Sequence, residues 1–178
     1  MSKTRHDVFV CPPLPHPVTT LTHELPDRHE IPRHLHPEHQ LIYASRGVMS
    51  VWTGDGTWIV PPQRAVWIPA KTPHAITMYG AVSMRTLYVK PRLVRLSPNC
   101  RVVNVSPLLR ELILHACTFP TLRKHVKAQA HVIDMILDQL KVLEMAPLRL
   151  VDPTDARALR VAEALAHDPG SERLLDAV

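Results

Sequence analysis

The amino-acid sequence predicts a mainly β fold, an N-terminal barrel or jelly roll, followed by α-helices. Three observations predict it. The chain has 178 residues with 18 prolines and 5 glycines, and prolines crowd its first half, where they would break helices. Between them, short β-branched and aromatic runs recur at close, even spacing with turn residues between, as in a small all-β barrel. Past residue 100 the apolar period changes from two to that of a helix.

In order along the chain, residues 1–17 read as a loose arm and 18–22 as a first strand. A histidine-dense stretch, residues 28–39, leads into a buried strand at 40–44 that ends in a turn at Arg46-Gly47. Residues 48–53 and 57–60 flank Gly54-Asp55-Gly56, a hairpin signal. Residues 65–68, 74–79 and 82–89 complete the strands, with a turn from Pro69 to Pro73. Ser106-Pro107 starts a helix, with serine as cap and proline at the first helical position. Leu108, Leu109, Leu112, Ile113 and Ala116 then keep helical spacing. A second helix is expected over 121–144, a linker over 147–152, a third helix from about Pro153, and a fourth from Ser171. Val178 falls inside an amphipathic pattern, so the sequence reads as interrupted there.

Composition narrows the function. Hydrophobic residues make up 46% and charged residues 21%, enough for a sizeable core in a soluble chain. No apolar run reaches a membrane span, and residues 1–10 lack a leader pattern, so the expectation is a cytoplasmic protein that does not contact a membrane. Cys11, Cys100 and Cys117 are widely spaced and read as reduced thiols. The net charge is +5, compatible with nucleic-acid binding, but the basic residues are scattered and read as solvated surface.

The densest polar constellation is His34, His36, Glu38, His39 and Gln40. Alternate strand residues share a face, so His34, His36 and Gln40 are expected to point inward, while Glu38 and His39 are placed outward by default. His74, after the proline turn, is the fourth candidate. These four suit a divalent metal (zinc, nickel, iron or manganese), a polar pocket for an organic ligand, or plain structural histidines. Gln40 carries no charge to offset a cation, so no cofactor is expected outright. Tyr43, Trp52 and Trp67 are further ligand-binding candidates, against a core role for each. Tyr88 could present a hydroxyl to the same cavity, while Arg64 and Arg85 read as outward.

His34-x-His36-x-x-x-Gln40 with Gly47, and Pro69-x-Lys71-x-x-His74, resemble the two cupin motifs, HxHxxxE with a later glycine and PxGxxH. Gln40 and Lys71 depart from them, which weakens any carry-over of a catalytic metal. The wider wording resembles the cupin domains of AraC-type transcription regulators. It includes His39-Gln-Leu-Ile-Tyr-Ala-Ser, Trp58-Ile-Val-Pro-Pro, Arg64-Ala-Val-Trp-Ile-Pro-Ala and Val103-Asn-Val-Ser-Pro-Leu-Leu. That resemblance implies an effector-binding domain over 18–100, a helical linker and dimerisation region over 101–150 with a homodimer through helices 106–144, and over 151–178 the start of a helix-turn-helix domain. It implies a small-molecule effector, and DNA binding only through recognition helices beyond Val178. The alternative is a metal-dependent cupin enzyme, a dioxygenase or isomerase, using His34, His36 and His74.

Overall fold

A computed structural model of the protein describes residues 9–94, 96–119, 121–143, 145–146 and 149–150. The expected third and fourth helices lie outside the described residues. Among the described residues eleven strands and two helices follow one another: β1 Phe9–Val10, β2 Val18–Leu25, β3 Glu30–Leu35, β4 His39–Thr53, β5 Gly56–Val60, β6 Arg64–Ile68, β7 His74–Val89, β8 Arg101–Asn104, α1 Pro107–Ala116, β9 Thr121–Leu122, α2 Lys127–Lys141, β10 Met145–Ala146 and β11 Arg149–Leu150. The mainly β fold followed by helices is thus the one the sequence predicted.

Two long strands form the spine. β4 pairs antiparallel with β7 along its length, with Gln40 opposite Tyr88 at one extreme and Thr53 opposite His74 at the other. Their middles bend together. The register shifts between Ala44 and Val48, and Gly47 and Gly80 adopt φ of +80° and +71°. The expected turn at Arg46-Gly47 is therefore a bulge inside one strand, and the expected pair of strands over 74–89 is also one strand. A glycine at positive φ allows a sharp bend without ending the ladder. At Gly47 a Cβ would stand 2.5 Å from the Ala81 carbonyl oxygen, so the two bent backbones touch there.

The bend splits the sheet into two layers. The ends of β4 and β7 near Gln40 and Tyr88 join β2, β6, β8, β9 and β10, while their other ends join β1, β3, β5 and β11. Period-two alternation then separates two cores. Ile42, Ala44, Met49, Val51, Val66, Ile76, Met78 and Met84 fill the space between the layers. Leu41, Tyr43, Trp67, Leu87 and Val89 face the other way and pack against Leu109, Ile113, Ile133, Ile136 and Leu140 of the helices.

α1 begins as expected: Ser106 Oγ accepts from Leu109 N at 3.1 Å, with proline following the cap. α2 is shorter than its periodicity predicted. Thr121 and Leu122 instead pair with Thr19 and Val18, so the barrel edge takes the first residues of the amphipathic run. The expected linker likewise contributes β11, which pairs with β5. The expected boundary at residue 100 falls just before β8, which pairs with β6 in the same sheet. No helix among the described residues is long and apolar enough to cross a membrane.

Candidate functional site

The last turn of β3 and the start of β7 lie side by side, with His34 opposite His74. Between β3 and β4 the chain bends at Pro37, and the turn after β6 is tied to that bend. Lys71 N donates to His36 O at 2.8 Å and Ala70 N donates to His39 Nδ1 at 2.9 Å. Lys71 stands at φ +64°, where the cupin motif has glycine. The left-handed backbone is kept although the side chain makes it costlier.

These ties gather three imidazoles. Ring centroids lie 4.2 Å apart for His34 and His74 and 5.2 Å apart for His36 and His74, and one nitrogen of each ring falls within 4.8 Å of the others'. His36 and His74 are buried and His34 half-buried. Each Nδ1 sits on a backbone carbonyl: His34 on Pro32 O at 2.8 Å, His36 on Glu38 O at 2.8 Å, His74 on Thr72 O at 2.9 Å. A carbonyl only accepts, so Nδ1 carries the proton in each ring and Nε2 is left as the lone-pair nitrogen of the neutral form. His36 Nε2 lies 2.8 Å from the Gln40 amide, whose other end lies 3.3 Å from the Tyr88 hydroxyl. As placed, the amide oxygen faces Nε2 and the NH₂ donates to the Tyr88 hydroxyl; turned over, the NH₂ would donate to the Nε2 lone pair and the oxygen would accept from Tyr88. His74 Nε2 is buried with no partner.

Burial sets the electrostatics. It pushes the His74 imidazole down to about 3, with Thr72 O opposing and His34 and His36 adding to the fall. His34 and His39 are lowered, chiefly by burial. The Tyr88 phenol is pushed up to about 12, first by burial and then by Cys11 and Glu38. Burial thus favours the neutral rings of His34, His39 and His74 and the protonated phenol of Tyr88.

The arm roofs this end of the barrel. β1 pairs parallel with β3, Phe9 beside His34 and Val10 beside Leu35, and Cys11 N donates to Leu35 O at 2.8 Å. Glu38 Oε1 then accepts from Leu14 N at 3.0 Å and from Lys90 Nζ at 2.9 Å. A cavity of about 230 Å³ lies beneath, between Cys11, Pro12 and Leu14 of the arm, Thr19 to Leu21 of β2, and His36, Glu38 and Tyr88.

Residues 16–116, which hold the whole cluster, match the AraC-like ligand binding domain. The chain belongs to that family. Over 138 residues it is 29% identical to the HTH-type transcriptional regulator NimR of Escherichia coli (strain K12), covering 78% of this chain and 50% of NimR. It thus spans about half the length of that curated relative. Apo ToxT K231A from Vibrio cholerae strain SCE256 shares the fold with a TM-score of 0.52 at 8% identity, covering 92% of this chain and 69% of that one. Unsaturated fatty acid bound wild-type ToxT of the same strain gives 0.50 at 8% identity, covering 88% and 65%.

Not every residue singled out from the sequence reaches the polar end of this AraC-like domain. His34, His36, Gln40 and His74 do. Tyr43 and Trp67 lie in the helix-side core, and Trp67 Nε1 donates to Ser97 O at 3.3 Å. Tyr43 is three residues from Gln40 on one strand, which puts it on the opposite face. Trp52 is exposed on the outer layer, with the Arg33 guanidinium 5.3 Å from its ring centre. Arg85 was expected outward, but its side chain is only 18% exposed and pairs with Glu24 at 2.9 Å, and Arg64 donates to Gln63 O. Glu38 corrects the expectation of an outward side chain. It is 1% exposed, and it stands two residues from both His36 and Gln40, so the period-two alternation itself turns it to their face. Lys90 and the arm residues Cys11 and Leu14 were not foreseen. Their contacts are long-range, and local pattern carries no signal for them.

Proposed function

We propose that this chain is the effector-sensing part of an AraC-type transcription regulator, with a small-molecule effector held at the polar end of the barrel beneath residues 11–14. One observation carries the reading. Outside the arm but within the stretch that matches the AraC-like ligand binding domain, His36 and Tyr88 line a cavity that the arm borders, and Gln40 and His74 stand next to them. Concave sites with an apolar lining and a few convergent polar groups are where small ligands bind. The ToxT structure with a bound unsaturated fatty acid is an example of an organic guest on this fold.

The domain layout we propose is an arm over 1–17, an effector-binding unit over 18–100, a linker and dimerisation region over 101–150, and the start of a helix-turn-helix domain over 151–178. In this layout two copies join through the helices of 106–144, and DNA is read by recognition helices outside the chain, in the cytoplasm. The effector acts by favouring one of two arrangements of arm and helices. We place the protein among sensors rather than catalysts, because Gln40 brings an amide where a carboxylate would balance a reactive cation.

A specific observation favours a second reading, in which a divalent metal assists the effector. With each Nδ1 tied to a carbonyl, His34, His36 and His74 keep Nε2 as the available nitrogen, the arrangement that orients histidine ligands. The unpartnered His74 Nε2 fits that donor set. The three histidines would hold the ion, and Gln40 would release His36. A bound zinc, nickel, iron or manganese would supply a Lewis-acidic position for a polar atom of the effector.

A thermal-shift screen of small molecules on the purified protein tests the first reading, run beside His36→Ala and Trp67→Phe. Hits lost in His36→Ala and kept in Trp67→Phe are expected. The reverse pattern would move the effector to the helix-side core. Elemental analysis tests the second reading. Stoichiometric metal that vanishes in the His34→Ala, His74→Ala double variant supports it, and its absence from protein purified without chelator counts against it.

A further inference from the structure

Two residues that line the cavity beneath the arm have unfilled hydrogen-bonding capacity. Thr19 and Glu38 each bury a side-chain oxygen with no partner, Thr19 Oγ1 and Glu38 Oε2. Glu38 is 1% exposed, yet both of its contacts fall on one oxygen: Leu14 N at 3.0 Å and Lys90 Nζ at 2.9 Å reach Oε1. An ionised carboxylate only accepts, so Oε2 can be satisfied only by an N–H or O–H donor. The Thr19 hydroxyl can take either role. Thr19 stands opposite Tyr88 in the β2–β7 ladder, so its hydroxyl and the phenol share one face. Pro12, Leu14 and Leu21 supply apolar walls. A guest that presents only lone pairs, such as a carboxylate, a ketone or an ether, would set acceptor against acceptor at Glu38.

We propose that this cavity takes a small, largely apolar molecule that carries a protonated amine or another N–H donor, with the N–H accepted by Glu38 Oε2. This rests on the reading of the cavity as the effector site and adds the chemical class of the effector. A charged donor is the stronger form, because a charge-assisted hydrogen bond in a low-dielectric site exceeds a neutral one. Lys90 already shares the carboxylate, so ligand and lysine compete for one negative charge. The arm amide of Leu14 shares it too, which places guest and arm on the same acceptor.

Isothermal titration calorimetry on the purified protein tests the class with three matched probes: 2-phenylethylamine, 2-phenylethanol and 3-phenylpropionate. The amine is expected to bind at least about tenfold more tightly than the alcohol, and the carboxylate not at all. Glu38→Gln should weaken the amine by about tenfold. Lys90→Met, which removes the competing cation, should tighten it, a gain that a merely structural lysine would not give. Leu21→Trp, which fills the cavity, should abolish amine binding. Circular dichroism checks the fold of each variant. If Glu38→Gln fails to fold, Lys90→Met and Thr19→Val carry the test, and Thr19→Val should weaken the amine by a few-fold.

Preference for 3-phenylpropionate, or amine binding that survives Glu38→Gln and Leu21→Trp, would overturn the proposal. Should the alcohol or the carboxylate bind best and be lost in Leu21→Trp, the cavity stands as the effector site and only the class falls. Should none of the three probes bind, water alone satisfies Glu38 and Thr19. The class is then wrong, and the effector reading is judged by the screen with His36→Ala and Trp67→Phe.

Discussion

The two ends of the barrel interior share the strands β4 and β7 and differ in what those strands carry. At the bent end Met49, Met78, Val82 and Met84 are 0–1% exposed and belong to one cluster of apolar side chains. At the open ends of the same strands stand Gln40, His74, Thr86 and Tyr88. There Thr19, Glu38, His74 and Thr86 each leave a buried polar atom without a partner. A buried group left unsatisfied costs about 1–3 kcal/mol, and native interiors hold few of them. Concentrating them at one end spends stability where a guest could recover it, while the bent end supplies the rigidity that holds the strands in place. Local rules tend to break at functional sites.

Several changes would break or sharpen that contrast. The largest effect is expected at the apolar end. Ile76→Ala empties a fully packed position and should lower unfolding free energy by about 2–5 kcal/mol in urea titration. Gly47→Ala tests the bend that creates the two ends. With φ at +80° and the Ala81 carbonyl 2.5 Å from the new Cβ, it should cost about 1–3 kcal/mol in the same titration.

The polar end should show itself through pH. The His74 pKa falls from 6.5 to about 3 on folding, so the unfolded chain binds the extra proton between those values. The stability due to a neutral His74 is fully present above pH 6.5 and is lost as pH falls towards 3. The slope for metal-free protein should approach about 1.4 kcal/mol per pH unit, and His34 and His39 act in the same direction. Acid-dependent unfolding should be visibly flatter in His74→Leu.

Two smaller changes should stabilise. Thr86→Val removes an unpartnered hydroxyl without changing shape and should leave stability unchanged or raise it by up to about 1 kcal/mol. Lys71→Gly relieves a left-handed backbone at the turn that carries His74 and should add about 0.5–1 kcal/mol, seen as a higher Tm. A clear loss in Thr86→Val would mean that its hydroxyl is satisfied, and the contrast between the ends would weaken.

Much of this was legible in the sequence, for physical reasons. Prolines and β-branched runs gave the strands, because both act locally. Ser106-Pro107 gave the start of α1 for the same reason. The structure brings His34, His36, Gln40 and His74 together, since the two motifs fall where the end of β3, the start of β4 and the start of β7 meet. The bends at Gly47 and Gly80 were read as strand ends, because a glycine at positive φ looks the same in a turn as in a bulge. Tyr43 and Trp67 were misplaced although the alternation from Gln40 already puts Tyr43 on the opposite face. Trp67 pairs with Leu41 and so shares the helix side. The inward side of Glu38 is legible by parity, since it stands two residues from both His36 and Gln40. Its bonds to Lys90 and Leu14 span 52 and 24 residues, and no local period records them.

The central claim is that an effector enters at the polar end and not elsewhere in the fold. Amide nuclear magnetic resonance on isotopically labelled protein, titrated with a hit from the thermal-shift screen, tests it most directly. Shifts concentrated at Cys11, Leu14, Thr19, His36, Gln40 and Tyr88, with Met49 and Met78 unmoved, are the predicted result. Shifts concentrated at Trp67, Leu140 and Leu143, with the histidine cluster silent, would contradict it.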